Sequence, residues 1–356
     1  MDSIINLVRP NLRELKTYVS ARSLNKKGSV YLDANELPWD SLGGKYNRYP
    51  SPQPKKVTQQ LASFYKVDES QLSLLRGSDE AIDNLIRTFC EPGRGGILTC
   101  PPTYGMYDIS AKVQGVVNIE VPLVTKNNQH FQLDMDGIIN NLSSKEGEQV
   151  HLVFLCSPNN PTGNLLNKND ILQLCEQLYG KALVVVDEAY VEFSSDASLT
   201  SYIETSSNLV VLRTLSKAHG LAGVRAGVAI AQKNIISCLD KVRAPYPIAQ
   251  PVINVLTDYF AGGGFKKLSQ NIENLISEKE RVSISLSKMS IVRKVFASDA
   301  NYLLVEFLDS HSIIKSLESQ GIIIRDRSSM YNLENCIRIS IGTEEENNLL
   351  LKALED

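Results

Sequence analysis

Four short apolar segments, each followed at once by polar chain, constrain this protein more than any other feature. They are GGILTC (95–100), VHLVFLC (150–156), ALVVVDE (182–188) and NLVVLRT (208–214). An unbroken run such as Ala182 to Val186 has no polar face, so it suits a strand covered on both sides, as in a parallel sheet. Between the runs lie stretches with helical spacing, DEAIDNLIRTFC and KNDILQLCEQLYG. Alternation of this kind predicts an α/β fold: a large domain with a mostly parallel sheet sandwiched by helices. After APYPIAQP (244–251) the pattern changes. One long amphipathic helix is expected from Lys266 to Met289, then strands ANYLLVEF and CIRISIG with helices SIIKSLESQ and TEEENNLLLKALED. That reads as a smaller α+β domain.

The expected organisation is therefore an N-terminal segment (1–39) joining the small domain, a large domain (40–250) and the small C-terminal domain (251–356). At the end of the first segment VYLDANELPWD looks like a short strand broken at Pro38, and KYNRYPSPQPKK, early in the large domain, must be an irregular loop. The 37 Lys and Arg nearly balance 40 Asp and Glu, which argues against a polyanionic partner such as nucleic acid. Six dispersed cysteines and four histidines show no metal spacing, so reduced, buried thiols and no metal are expected. No apolar run approaches the ~18 residues of a membrane span. The first residues lack an export signal's apolar core, and a cytoplasmic location is expected.

Three motifs follow three of the proposed strands: CSPNNPTG (156–163), DEAY (187–190) and TLSKAHGLAGVR (214–225). In a parallel sheet all three lie at the strands' carboxyl ends, where open α/β sheets bind ligands. Asp187 ends an apolar run, and a carboxylate there needs a cationic partner. Read alone, it is equally a helix cap or half of a salt bridge. Lys217 is an ordinary solvated lysine unless burial near other cations lowers its proton affinity and makes it a nucleophile. A fourth segment, RGSDEAIDNL, starts a helix that is either an ordinary capped surface helix or, through its free N–H groups, an anion site. Asp79 and Glu80 would repel a phosphate there unless their side chains point away.

One cofactor needs all of these groups. Pyridoxal 5'-phosphate requires a lysine for its aldehyde, a carboxylate at its ring nitrogen, donors to its phenolic oxygen and an anion site for its phosphate. Lys217, Asp187, Asn160 with Tyr190, and Ser78, Ser216 and Arg225 match those needs in turn.

SPNNPTG, VVVDEAY and TLSKA-x5-VR, in that order, resemble the fold type I pyridoxal-phosphate aminotransferases of class I and II. YVSAR, LDANE, NRYP, RGSDEAI, CPPTYGMY, APYP, IIIRD and CIRISIGT resemble the histidinol-phosphate aminotransferase branch, over nearly the whole chain. The resemblance implies that Lys217 links to the cofactor, that Asp187 partners its pyridinium and that Asn160 and Tyr190 hold its phenolic oxygen. It implies Tyr104 stacked on the ring, and Ser78, Asp79 (through its N–H), Thr214, Ser216 and Arg225 around the phosphate. Tyr49 would reach a neighbouring subunit's cofactor, implying a homodimer. Arg338 would clamp the substrate's acidic end, with Arg325, Tyr18 and Asn35 nearby.

The implied reaction exchanges an amino group between L-histidinol phosphate and 2-oxoglutarate, giving imidazole-acetol phosphate and L-glutamate. Arginine suits both phosphate and carboxylate, because its planar fork binds either. An aromatic aminotransferase or a threonine-phosphate decarboxylase of the same fold would keep Lys217 and Asp187 too. A metabolite-sensing regulator would be expected to carry a basic DNA-binding extension, and none is evident. Two departures stand out. His219 occupies a position where relatives place a large apolar or aromatic side chain, and is expected to be a packing variant, a pH-sensitive cofactor neighbour being the alternative. The segment LPWDSLGGKYN also looks shorter than expected at a substrate entrance.

Overall fold

The computed structural model describes residues 4–22, 28–126, 130–194 and 196–355. The strands are β1 (Leu72–Leu75), β2 (Gly96–Thr99), β3 (Val117–Glu120), β4 (Val124–Lys126), β5 (His130–Gln132), β6 (Val150–Cys156), β7 (Leu183–Asp187), β8 (Leu209–Thr214), β9 (Gly227–Ala231), β10 (Val292–Val295), β11 (Tyr302–Phe307), β12 (Arg325–Asp326) and β13 (Cys336–Ser340). The α-helices are α1 (Pro10–Arg13), α2 (Lys55–Tyr65), α3 (Ser78–Phe89), α4 (Met106–Gln114), α5 (Met135–Leu142), α6 (Lys168–Gln177), α7 (Lys233–Leu239), α8 (Gln250–Ala261), α9 (Gly264–Leu286), α10 (Ser310–Ser319) and α11 (Glu344–Glu355).

Seven strands form the main sheet in the order β1-β9-β8-β7-β6-β2-β3. Its β2–β3, β2–β6, β6–β7 and β7–β8 pairs are parallel, and β9 runs antiparallel to both its neighbours. The unbroken apolar runs explain the burial. In β7, Val184 and Val186 enter one core while Leu183 and Val185 enter the other, on the opposite face. A period of two with both faces covered leaves no place for a polar side chain until Asp187. Each such side chain contributes about 1.5–3 kcal/mol on burial.

The smaller unit is an antiparallel sheet, β10-β11-β13-β12. Its own core joins Leu303, Val305, Ile337 and Ile339 to Val282 and Leu286 of α9, Leu317 of α10 and Leu350 and Leu354 of α11. The long helix expected from Lys266 is α9, with ends shifted by two or three residues.

Two expectations fail. Residues 4–13 belong to the large unit: Ile4, Leu7, Val8 and Leu12 bury with Leu85, Ile86 and Phe89 of α3. Arg9 pairs with Glu91 at 3.0 Å, and Lys241 donates to the carbonyls of Leu12 and Arg13. The cause is an i, i+3, i+4 apolar stripe, which needs a helical face to cover it. The stretch 30–40 forms no strand. Its apolar side chains find no ladder, and Val30 and Leu32 stay exposed. Glu36 organises it instead, accepting from Arg22, Arg48 and the Tyr49 N–H.

Candidate active site

Register places the motifs together. Cys156 at the end of β6 lies opposite Asp187, and Asp187 lies opposite Leu212 of β8. Gly227, the first residue of β9, pairs with both Thr214 and Leu75. The antiparallel strand thus starts at the edge where β1 and β8 end, which brings the N-terminus of α3 beside the loop carrying Lys217. A cavity of about 310 Å³ opens there, lined by Ser78, Asp79, Tyr104, Asn160, Asp187, Tyr190, Thr214, Ser216, Lys217, Arg225, Arg325 and Arg338 of the expected set.

Asp187 is 2% exposed and forms no salt bridge among the described residues. Its Oδ2 accepts from the Tyr107 hydroxyl at 2.9 Å and its Oδ1 from the Ala189 N–H at 3.1 Å. Burial pushes its carboxyl up to about 6, against those two donors, which favour the ionised form. Lys217 lies with its Nζ 5.5 Å from the Tyr190 ring centre. Burial, then the Arg338 charge, lowers its proton affinity; Asp79 and Asp187 oppose the shift. A lysine depressed in this way is more often a free amine, the form that acts as nucleophile or base.

Asn160 is shared. Its Nδ2 donates to the Tyr190 hydroxyl at 3.4 Å, and its Oδ1 accepts from Arg338 Nη1 at 2.6 Å. Tyr190 packs edge-on against Tyr302, whose hydroxyl donates to the Asn159 carbonyl.

The anion cradle is set by two glycines. A Cβ on Gly77, whose φ is +82°, would lie 2.9 Å from Arg225 Nη2. One on Gly227 would lie 2.6 Å from the Ser78 backbone nitrogen. Only glycine lets the arginine and the helix start approach so closely. Arg225 also donates to Ser216 Oγ at 3.2 Å, and Thr214 Oγ1 accepts from the Ser216 N–H. Glu80 turns away to Arg76 at 2.7 Å. Asp79 does not: its carboxylate accepts from Arg225 at 3.1 Å and from the Tyr104 hydroxyl at 3.0 Å. An incoming phosphate must therefore compete with Asp79 for Arg225.

Three arginines gather on one wall of the cavity, on and beside the small sheet. Arg325 of β12 sits directly opposite Arg338 of β13, and Arg327 lines the same cavity two residues on. None of the three forms an ion pair among the described residues.

Some expected residues lie elsewhere. Asn35 and Tyr49 line a separate cavity with Arg48 and Tyr246, and Tyr49 stacks on Tyr246 at 4.4 Å. Tyr18 is 71% exposed and does not line the first cavity. Two contributors were missed. Tyr107, in the quoted CPPTYGMY, reads as core and is fully buried, yet it holds Asp187. Arg327 was findable, since a period of two from Arg325 puts both on one face of a strand.

His219 packs among Phe64, Tyr259 and Phe265 rather than in the cavity. Its Nδ1 lies 3.0 Å from the Tyr259 hydroxyl, and its Nε2 is 3.8 Å from Glu192, which pairs with buried Arg213. This is the setting of a packing variant. The His219→Phe enzyme is expected to keep the wild-type pH–rate profile; a displaced limb would give the imidazole a part in the chemistry.

The family model described as aminotransferase class I and II matches residues 28–354, and the chain belongs to that family. Its members use pyridoxal 5'-phosphate. Within the family, the chain is 42% identical to a histidinol-phosphate aminotransferase of Yersinia pseudotuberculosis, over 99% of this chain and 91% of that protein. The structure is similar to a histidinol-phosphate aminotransferase from Clostridium acetobutylicum, with a TM-score of 0.75, 25% identity and coverage of 86% and 90%. The fold also matches a Sinorhizobium meliloti histidinol-phosphate aminotransferase in complex with pyridoxal-5'-phosphate, at a TM-score of 0.77, 22% identity and coverage of 88% and 83%.

The residues present fit that cofactor. A buried carboxylate without a cationic partner suits a protonated ring nitrogen, and the glycine-walled cradle suits a phosphate.

Proposed function

We propose that this chain transfers the amino group of L-histidinol phosphate to 2-oxoglutarate, giving imidazole-acetol phosphate and L-glutamate, in histidine biosynthesis. The observation that carries the reading is one cavity that brings Lys217, the buried carboxylate of Asp187 and unpaired arginines together. That set serves amine chemistry on an anionic substrate, and the 42% identical relative is named for the proposed activity.

When bound, pyridoxal phosphate supplies an electron sink that makes the amine substrate's Cα–H acidic. The chain's residues supply the rest. Asp187, ionised, holds a proton on the ring nitrogen. Asn160 and Tyr190 would hold the phenolic oxygen, and Tyr104 would cover the ring. Ser78, the Asp79 N–H, Thr214, Ser216 and Arg225 hold the phosphate. Lys217 Nζ, lowered in proton affinity, would take the proton from the substrate Cα and would be the group that returns one to complete the transfer. Arg338 and Arg325 hold the substrate anion, so the reacting carbon is positioned before proton transfer.

We also propose a homodimer in the cytoplasm, without a nucleic-acid or membrane partner. Leu32, Leu37, Trp39, Leu42 and Tyr49 are all exposed along one segment, and a second copy would cover them. Among the described residues, no helix is long and apolar enough to cross a membrane.

The test is amino-donor turnover by the purified, cofactor-loaded protein. The expected result is a yellow enzyme that forms glutamate from histidinol phosphate and 2-oxoglutarate one for one. It should release no carbon dioxide and strongly disfavour phenylalanine. Carbon dioxide release, or equal use of phenylalanine, would overturn the reading.

A further inference from the structure

Arg327 has no role in the reading above beyond lining the cavity, yet its setting is the least comfortable of the three arginines. Its backbone N–H donates to the Cys336 carbonyl at 2.9 Å, which fixes the residue alongside β13. Its Nε is buried with no hydrogen-bond partner, and the Nε of Arg338 is in the same condition. Burial, then the charges of Arg338 and Arg325, push the Arg327 guanidinium down to about 10. The neighbouring carboxylate feels the Arg327 charge only as a minor influence. Asp326 turns to the Ser328 N–H at 2.8 Å and makes no ion pair with Arg327. Successive side chains of an extended segment face opposite ways, so Arg325 and Arg327 share a side that Asp326 leaves. Other charges on the cavity do not help either. Asp79 is engaged by Arg225, and Asp187 is buried against Tyr107.

Like charges held together without a counter-ion are unfavourable, so the cluster needs an anion from outside. The size of that charge discriminates between ligands. A carboxylate carries one charge and two acceptor oxygens, which a single guanidinium fork satisfies. Glutamate spreads its two charges over two separate carboxylates, so the single group at this end is met by Arg338 with Arg325. A phosphate monoester carries close to two charges and three acceptor oxygens, and can engage further guanidinium donors at once.

We propose that Arg327 is a specificity residue: it binds the phosphate of the amine substrate and is largely idle when a dicarboxylate occupies the site. The inference rests on the proposed reaction, since it assigns the phosphate-bearing partner of that reaction to a third arginine. It also makes the two half-reactions unequal in their dependence on one side chain. Arg327→Gln should discriminate against histidinol phosphate while leaving glutamate almost untouched.

The experiment compares wild-type, Arg327→Gln and Arg327→Lys holoenzymes, saturated with cofactor, in three assays. The first is KM and kcat for histidinol phosphate, and the second is the same pair for glutamate. The third is inhibition of the glutamate half-reaction by inorganic phosphate. Losing a charge-assisted contact should raise KM for histidinol phosphate roughly tenfold or more. Its kcat should change little, and KM for glutamate should stay within about twofold. Phosphate inhibition should weaken in parallel, with Arg327→Lys intermediate because it keeps charge without the fork.

An equal rise for both substrates would overturn the inference, leaving Arg327 a general part of the cationic field. Unchanged KM for histidinol phosphate, with unchanged phosphate inhibition, would overturn it as well. A wild-type enzyme that ignores histidinol phosphate overturns the proposed reaction, while the phosphate arm still decides what Arg327 binds. If the glutamine variant does not fold, the lysine variant carries the same comparison.

Discussion

Lys217→Ala is expected to fold and to transaminate roughly 10⁴-fold more slowly than wild type, the upper range for loss of a positioned proton-transfer group. The expectation follows from where the side chain sits. Lys217 lies between Tyr190 and the arginines, depressed in proton affinity by burial and by Arg338, and the described residues offer no second amine lining the cavity. The loop itself does not depend on the ammonium group, because the Leu215 N–H bonds the Ala226 carbonyl and the Leu221 N–H bonds the Leu215 carbonyl. Loss of rate should therefore come with little loss of stability. Steady-state turnover and the visible spectrum of the loaded protein check both halves. Lys217→Arg sharpens the test, since it keeps a cation that does not deprotonate near neutral pH. Retention of more than about one-tenth of the wild-type rate by either variant would remove Lys217 from the proton path.

Asp187→Asn should have the second-largest effect, and one with a sign that depends on the cofactor. In the loaded enzyme it removes the charge that keeps the ring nitrogen protonated, and activity should fall roughly 10³-fold or more, by analogy with loss of a single preorganised electrostatic partner. In the cofactor-free protein the same change is stabilising above about pH 6. The Asp187 carboxyl is raised from 3.8 to about 6, so the folded state holds the proton more tightly than the unfolded chain. Stability from that group is complete below about pH 4 and is lost as pH rises through about 6, an effect of about 3 kcal/mol. Asparagine carries no such titration. Denaturant unfolding of both cofactor-free proteins at pH 5 and pH 8 measures it. The variant should gain on wild type by about 1.4 kcal/mol between the two pH values, and a constant difference would contradict the burial argument.

Much of this site is legible because strong local patterns carry it. Val184 to Val186 cannot be anything but buried on two sides, so Asp187 is at a strand end before any coordinates are known. The same holds for Thr214 after Leu209 to Leu212. What escapes is decided by chain far away. Tyr107 has the apolar spacing of any core tyrosine, and only the approach of β7 makes it a donor to Asp187, 80 positions on. Asp79 gives no sign of its direction, which is set by Arg225 across 146 positions. The strand expected in VYLDANELPWD fails for a related reason. Alternation specifies a strand only where a neighbour offers a ladder, and this segment meets Arg22 and Arg48 instead. Residues 4–12 show the reverse case, a helical stripe too short to stand out until α3 covers it.

The two-sided amide of Asn160 has a consequence for the order in which ligands are held. One atom faces Tyr190 on the large unit, and the other faces Arg338 on the small sheet. An anion that draws Arg338 toward itself alters the Asn160 side chain that the cofactor would also contact. The two sites are then linked through a single amide, and linkage is reciprocal. Whatever factor the substrate anion adds to retention of the cofactor, the cofactor must add to the affinity for the anion.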